Sequence, residues 1–451
     1  MSHGIRRAAL LMCVATAAPQ AAFPQTSPSS PRPSSGLYQG DARNDEGRQS
    51  LFFTGTISEA YDDNIIGSDA LNSISARAKA SGFYSRAEGR LSYARRNATR
   101  RVRFVSDGTA RLDYYPRLSG QLDQPIDSYE GHAGVDVPIG RGSLRLNQSI
   151  GYQPYFVLDT LSFGVGDALT PADGLTTAVA ADVTLFSEPL TTYSSSAALT
   201  TPLSRRISLD GSYTYRGAAS ARQWSDITDQ GGAVRLNLTT SRRSNINFGY
   251  THRVATFEPP TRPRSEMTVR EFQMGYAYRR SLSSTRSIGL DVGTGAARLD
   301  IDTPSTESQD SQQVLGYAAV SYQFGRTWSG QGEFRRALQV LRGLSESFFG
   351  ESASGSIHGL LSRRVDLTIA GTYSDGDAGI AAFSTTGYNT RTGIVRIRYA
   401  LNRSAAVSSE YMYAQYRIGN TVELPAGVVR ELARNVIRVG LTFGMPIISH
   451  P

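Results

Sequence analysis

The sequence predicts an all-β fold: a transmembrane up-and-down antiparallel β-barrel of about eighteen strands, preceded by a signal peptide and a disordered N-terminal tail. Three observations predict it. Runs of roughly ten residues alternate apolar and polar side chains, the connections between runs are alternately short and long, and no long uniformly apolar run occurs. The run near the C-terminus is the clearest, with Ile437, Val439, Leu441 and Phe443 on one face and Arg438, Gly440 and Thr442 on the other. Strand side chains repeat every second residue, so each run carries one oily and one wet face.

The chain opens with Arg6 and Arg7 ahead of the apolar stretch Ala8 to Ala18, with Ala15 and Ala17 placed for cleavage. That stretch is too short to span a bilayer and predicts a signal peptide over 1–22, of the general rather than the twin-arginine export type. Cys13, the only cysteine, lies inside it behind Met12. The exported chain is therefore expected to lack cysteine, and with it disulfides and thiolate metal sites. Residues 23–50, with Ser27, Pro28, Ser29, Ser30, Pro31, Arg32 and Pro33, cannot bury a core and are expected to form a disordered periplasmic tail.

The barrel is expected over 51–443, with 444–451 as a C-terminal extension. Its first nine strands are read at Leu51 to Tyr61, Ala80 to Ala94, Val102 to Tyr115, Ser128 to Val137, Leu144 to Tyr155, Thr192 to Thr201, Ile207 to Arg216, Gly231 to Thr239 and Asn245 to Ala255. The other nine are read at Val269 to Tyr278, Ser287 to Ala297, Gln313 to Phe324, Trp328 to Leu341, Ser352 to Leu361, Val365 to Tyr373, Asn389 to Leu401, Ala405 to Tyr416 and Asn435 to Phe443. An even count returns both termini to the periplasm. Short connections follow the even strands, as in Gly140-Arg141-Gly142, Ser204-Arg205-Arg206, Ser241-Arg242-Arg243 and Ser362-Arg363-Arg364, and long ones follow the odd strands. Tight periplasmic turns and long outer loops give that parity. The recurrent arginines read first as solvated turn residues at the membrane interface, and second as a basic rim for an anionic partner. The longest connection, Val157 to Leu190, reads either as a surface loop or as a constriction folded into the barrel.

Alternation then assigns the faces. Toward lipid point Phe104, Ala110, Leu112 and Tyr114; Leu144, Leu146, Ile150 and Tyr152; Val234, Leu236 and Leu238; Ile288, Leu290 and Val292, with tyrosines gathered at strand ends as an interfacial girdle. Toward the lumen point Arg86, Glu88 and Arg90; Arg103, Asp107, Arg111 and Asp113; Glu130, His132 and Asp136; Arg145; Asp210, Arg216 and Arg235; Arg253 and Glu271; Glu333 and Arg335; Asp366; Arg396 and Arg398; Glu410; and Arg438. These are twelve arginines against ten carboxylates, a mixed and slightly positive field that either braces the wall by ion pairing or selects polar solutes in a wide aqueous lumen.

Composition excludes other classes. With 39% hydrophobic residues a helical membrane protein is not implied. The net charge of +8 is carried almost wholly by arginine, Lys79 being the only lysine, and is spread along the chain rather than gathered on one tail, so no nucleic-acid partner is expected. His132, His252 and His358 fall on distant strands without triad spacing, so no enzyme is expected. No cofactor motif occurs, and Asp62-Asp63-Asn64 lacks the remaining ligand spacing of a calcium loop and reads as a polar turn leaving the first strand.

The segments Tyr61-Asp62-Asp63-Asn64, Gly151-Tyr152-Gln153-Pro154-Tyr155, Leu203-Ser204-Arg205-Arg206 and Gly440-Leu441-Thr442-Phe443 together resemble the beta-barrel porin 2 family, outer-membrane barrels associated with exopolysaccharide loci. The resemblance covers most of the chain after Leu51. It implies a porin-like outer-membrane channel for polar solutes, with a role in exopolysaccharide export as its more specific form. Outer-membrane lipids and lipopolysaccharide, the barrel assembly machinery and polysaccharide export components are the implied partners. A nontransporting structural or adhesive barrel is the alternative, with a rim-acting hydrolase behind it.

Overall fold

A computed structural model of the chain describes residues 36–38, 48–66, 80–97, 101–116, 126–153, 160–162, 190–220, 226–258, 263–303, 306–341, 347–378, 387–419 and 430–450. The expected signal peptide over 1–22 lies outside them.

In chain order the strands are β1 (Gln49–Ile66), β2 (Ala80–Arg96), β3 (Arg103–Tyr114), β4 (Ile126–Ile139), β5 (Gly142–Gln153), β6 (Thr160–Ser162), β7 (Leu190–Pro202), β8 (Ile207–Ser220), β9 (Asp226–Thr239) and β10 (Ser244–Glu258). They continue as β11 (Ser265–Ser283), β12 (Arg286–Thr303), β13 (Thr306–Phe324), β14 (Trp328–Leu341), β15 (Ser347–Leu360), β16 (Val365–Ala378), β17 (Tyr388–Ala400), β18 (Ala405–Ile418) and β19 (Glu431–His450). Apart from β6, each pairs antiparallel with its neighbours in sequence, β5 with β7 across the gap, and β1 with β19. Setting β6 aside from the nineteen leaves a closed ring of eighteen among the described residues, each wall strand paired with a neighbour on both sides over at least part of its length.

Closure at the β1–β19 seam explains two departures from expectation. β19 does not stop at Phe443 but runs to His450, where it pairs with Gln49, so residues 444–450 belong to the wall rather than to an extension. Pro446 is accommodated because β18 pairs only as far as Phe443, and the register slips beside it between Leu51 and Phe52. The Phe443 ring lies over Gly55, where any Cβ would collide with it, so a bare glycine backbone lets the aromatic seal the seam. Asp62-Asp63-Asn64 is likewise no turn: it stays in β1 and ties it to β19. Arg434 Nε donates to Asp62 Oδ2 at 2.7 Å, and Asn435 donates to Asp63 from its backbone N and its Nδ2, both at 2.7 Å.

The wall strands run from 12 residues in β3 and β5 to 20 in β19, longer than a bilayer crossing needs. β12 passes the expected Ala297, and β13 starts at Thr306 instead of Gln313. Beyond the apolar belt their outward positions are charged and paired, with Arg298 Nη2 2.8 Å from Asp310 Oδ2, so apolar alternation fades although the ladder continues.

The tight turns share one device. Ser204 Oγ accepts from Arg206 N and Ile207 N, Ser362 Oγ from Arg364 N and Val365 N, and Asn402 Oδ1 from Ser404 N and Ala405 N. The small polar residue caps the turn backbone and leaves its arginines to the water.

β6 was not foreseen. β13 and β14 stay paired only over Gly316–Phe324 and Trp328–Arg336; above that, Thr160, Leu161 and Ser162 pair with Leu341, Val340 and Gln339. β6 belongs to the β5–β7 connection, yet it sits seven strands on from β7 in the ring.

Candidate functional site: the inner wall

Cross-strand partners share a face, so the register fixes what looks inward. Ile57, Leu91, Leu112, Leu146, Leu236, Phe248, Phe272, Leu290, Val320, Ile369, Ile437 and Val439 are exposed on one face, the apolar belt of an outer-membrane-type barrel. The residues assigned to the lumen from sequence all take the other face.

In β2 to β5 they meet as charge pairs. Arg86 donates to both oxygens of Asp113, at 2.6 and 2.9 Å, and Arg111 approaches the same carboxylate at 3.8 Å. Arg90 lies 3.2 Å and His132 3.5 Å from Asp107. Asp136 stands in register between Arg103 and Arg145 and accepts from Arg145 Nε at 2.8 Å. Glu88 lies opposite Arg111, and Glu130 opposite Thr109. Across β16 to β19 the same logic holds. Arg398 donates to Asp366 at 2.8 Å, and Arg438 donates to Glu410 at 3.0 Å and to the Tyr84 hydroxyl at 2.9 Å. Arg396 faces Glu410 in register. Alternation put opposite signs on directly facing positions, where each charge-assisted bond also orders its neighbour strand.

The arc from β9 to β14 is built differently. Arg253 pairs with Asp229 in a buried bidentate contact, and Arg335 lies 3.0 Å from Glu333. Arg235 faces Asp210 in register, with its Nε buried and lacking a hydrogen-bond partner among the described residues. The Tyr317 hydroxyl donates to Asp291 at 3.0 Å, while the ring lies against Gly293 and its hydroxyl end against Gly275. A Cβ at either glycine would occupy the space of the tyrosine. Toward the long-connection end, inward Ile227, Ala255, Phe257, Met267, Val269, Ala297, Leu299 and Leu315 form a fully buried cluster with Leu338.

Sequence reasoning missed Tyr84, Tyr317, Tyr388 and Tyr416, which face inward instead of joining the girdle, and missed the buried Arg434–Asp62 pair. Adding inward Asp62, Asp229, Asp291 and Arg434 to the residues named from sequence brings the two signs to thirteen each. Among the described residues no group of three or more His, Asp or Glu is placed to hold a metal ion. His252 faces outward opposite Arg270, away from His132.

No family model and no curated protein matches the chain. Solved structures similar to it include OccK11 (OpdR) of Pseudomonas aeruginosa, 11% identical over 92% of this chain and 98% of that one, with a TM-score of 0.44. A BenF-like porin from Pseudomonas fluorescens Pf-5 is 9% identical over 88% and 99%, with a TM-score of 0.48. OccK2 (OpdF) of Pseudomonas aeruginosa, solved with glucuronate, is 10% identical over 89% and 98%, with a TM-score of 0.46. At such identities and TM-scores these porins lend no weight to any solute; the strand register closes eighteen wall strands of the described residues into one barrel, and its exposed apolar belt makes that barrel a transmembrane one.

Proposed function

We propose that this protein is a porin-like channel for polar solutes in the bacterial outer membrane. The observation that carries the reading is the inner wall. Eighteen strands enclose more space than inward side chains fill, and the β2–β5 arc presents part-exposed ion pairs to it, Arg90–Asp107 and Arg145–Asp136. Lumen-lining residues in this reading are Arg86, Glu88, Arg90, Arg103, Asp107, Arg111, Glu130, Arg145, Arg235, Arg253, Glu333, Arg335, Arg396, Arg398 and Arg438. Because inward charges balance, selectivity comes mainly from the arginine turns at the periplasmic rim and is a modest preference for anions.

The β5–β7 connection narrows the lumen in this reading. Most of Val157 to Leu190 lies outside the described residues, but β6 is held by β14, far round the ring from where the connection begins and ends. Bilayer conductance with reversal potentials in a salt gradient tests the channel, and deletion of 157–189 should raise conductance. A barrel that conducts in neither form supports the structural or adhesive alternative.

A role in exopolysaccharide export, with export components as partners, is supported by the sequence resemblance alone. Loss of secreted polymer on deletion of the gene, restored by the intact chain, is its test.

A further inference from the structure

The N-terminal tail was expected to be disordered, yet three of its residues meet the wall. Leu37 N donates to Arg363 O in the β15–β16 turn at 2.6 Å. The Tyr38 ring lies under the Arg398 guanidinium, 4.6 Å from its carbon to the ring centre. Tyr38 is 6% exposed and packs on Ala400 and Ala406, which are 2% and 0% exposed. Arg398, Ala400 and Ala406 all face inward, at the periplasmic ends of β17 and β18. At Gly36 a Cβ would stand 3.0 Å from the Leu360 side chain and 3.3 Å from Arg363 O, so the chain is drawn close to the wall just before the two anchoring residues. β1 itself begins at Gln49 beside β19 and β2, so the tail is fixed to strands beyond its immediate neighbours.

We propose that β15 to β18 carry a seat for the chain's own Gly36–Tyr38, and that the seated segment is a working part of the periplasmic mouth, narrowing it and covering the face of Arg398. The cation–π contact suits this place. Arg398 is already bonded to Asp366 through Nε, and the aromatic face takes the flat side of the guanidinium that a passing anion would otherwise meet. Leu37 and Tyr38 supply the apolar and aromatic surface that the surrounding Pro and Ser residues lack. The seat stands on observed contacts, and its effect on permeation rests on the channel reading.

Thiol labelling and conductance separate the two. In a full-length Cys13→Ser background reconstituted in liposomes, Ala406→Cys places a thiol on the floor of the seat, and its reaction with a water-soluble thiol reagent is timed. Adding Tyr38→Ala should speed modification about tenfold, whereas Tyr38→Phe should leave it slow. Equal rates in all three overturn the seat. Without any introduced cysteine, Tyr38→Ala should raise single-channel conductance by roughly a fifth or more and move the reversal potential toward anions. Faster labelling with unchanged conductance and reversal potential overturns the narrowing role. Absence of current from every variant, the unaltered chain included, overturns the channel reading while labelling still decides the seat.

Discussion

Two arcs of the inner wall, made of the same alternating strands, are held in different ways. From β16 through β19 and on to β5, opposite charges face each other across strands: Arg398 with Asp366, Arg438 with Glu410, Arg434 with Asp62, Arg86 with Asp113 and Arg145 with Asp136. From β9 to β14, the wall keeps the buried Arg253–Asp229 pair but runs mainly through glycines overlaid by Tyr317 and then into the buried cluster around Met267, Val269 and Leu299. A half-exposed pair such as Arg145–Asp136 can face water unaided. An apolar cluster cannot, since each buried Å² of such surface is worth about 25 cal/mol only while water stays away. The barrel is therefore two-sided, with a wall braced by facing ion pairs opposite one whose long-connection end is apolar and buried.

The largest expected effect lies in the paired arc. Asp62→Ala leaves Arg434, 1% exposed at its side chain, as a buried charge stripped of that carboxylate at the seam. A loss of about 3–5 kcal/mol is expected, read as a lower urea midpoint for refolded protein and loss of heat-modifiable migration. Stability within about 1 kcal/mol of the parent would show that the seam is closed by its backbone ladder and Phe443 instead.

The two faces of the wall, compared at β12 and β8, give the next contrast. Leu290→Arg puts a charge on the lipid face and is expected to cost about 2–4 kcal/mol near mid-membrane, while inward Ser212→Arg, facing Ala198 and Ala233 with Asp210 two residues away, should cost much less. Asn247 is inward too, but its amide is packed beside Gly275 under Tyr317, so an arginine there probes crowding rather than facing. Equal stability of Leu290→Arg and Ser212→Arg would reverse the assignment of faces.

How far each arc was legible follows from what alternation encodes. Arg86, Arg145 and Arg398 could be placed inward because the neighbouring positions are apolar or small, and their carboxylates fell on the same face by the same period. The glycine arc gave no such signal. Gly275 and Gly293 have no side chain to classify, and Tyr317 has the amphipathic character of a girdle residue whichever way it points. Met267, Val269 and Leu299 were inward apolar residues, which a two-faced pattern would assign to lipid or omit. β6 was invisible because three residues hold no period, and the Asp62-Asp63-Asn64 run read as a turn because its partners lie 372 residues away in sequence.

Filling the glycine arc sharpens the comparison at intermediate size. Gly293→Val places atoms where the Tyr317 ring lies, so the ring must leave the wall and its bond to Asp291 with it. A cost of about 1–3 kcal/mol is expected, with the displaced ring lowering conductance. Tyr317→Ala in the same background should recover most of the conductance. Conductance that stays low in the double variant would mean that the valine, not the ring, obstructs the path.

The smallest effect on stability and the cleanest on selectivity belong to Arg145. Its pair with Asp136 is half exposed, at 49% and 37% of the side chains, and Asp136 retains Arg103 in register on its other side. Arg145→Ala should therefore change stability by less than about 1 kcal/mol. It also removes one inward positive charge from an arc in which the carboxylates are otherwise matched, so the reversal potential in a salt gradient should move toward cations while conductance changes little. Asp136→Ala should move it the opposite way. If both variants shift the potential in one direction, or neither shifts it, the paired arc braces the wall without facing the permeation path.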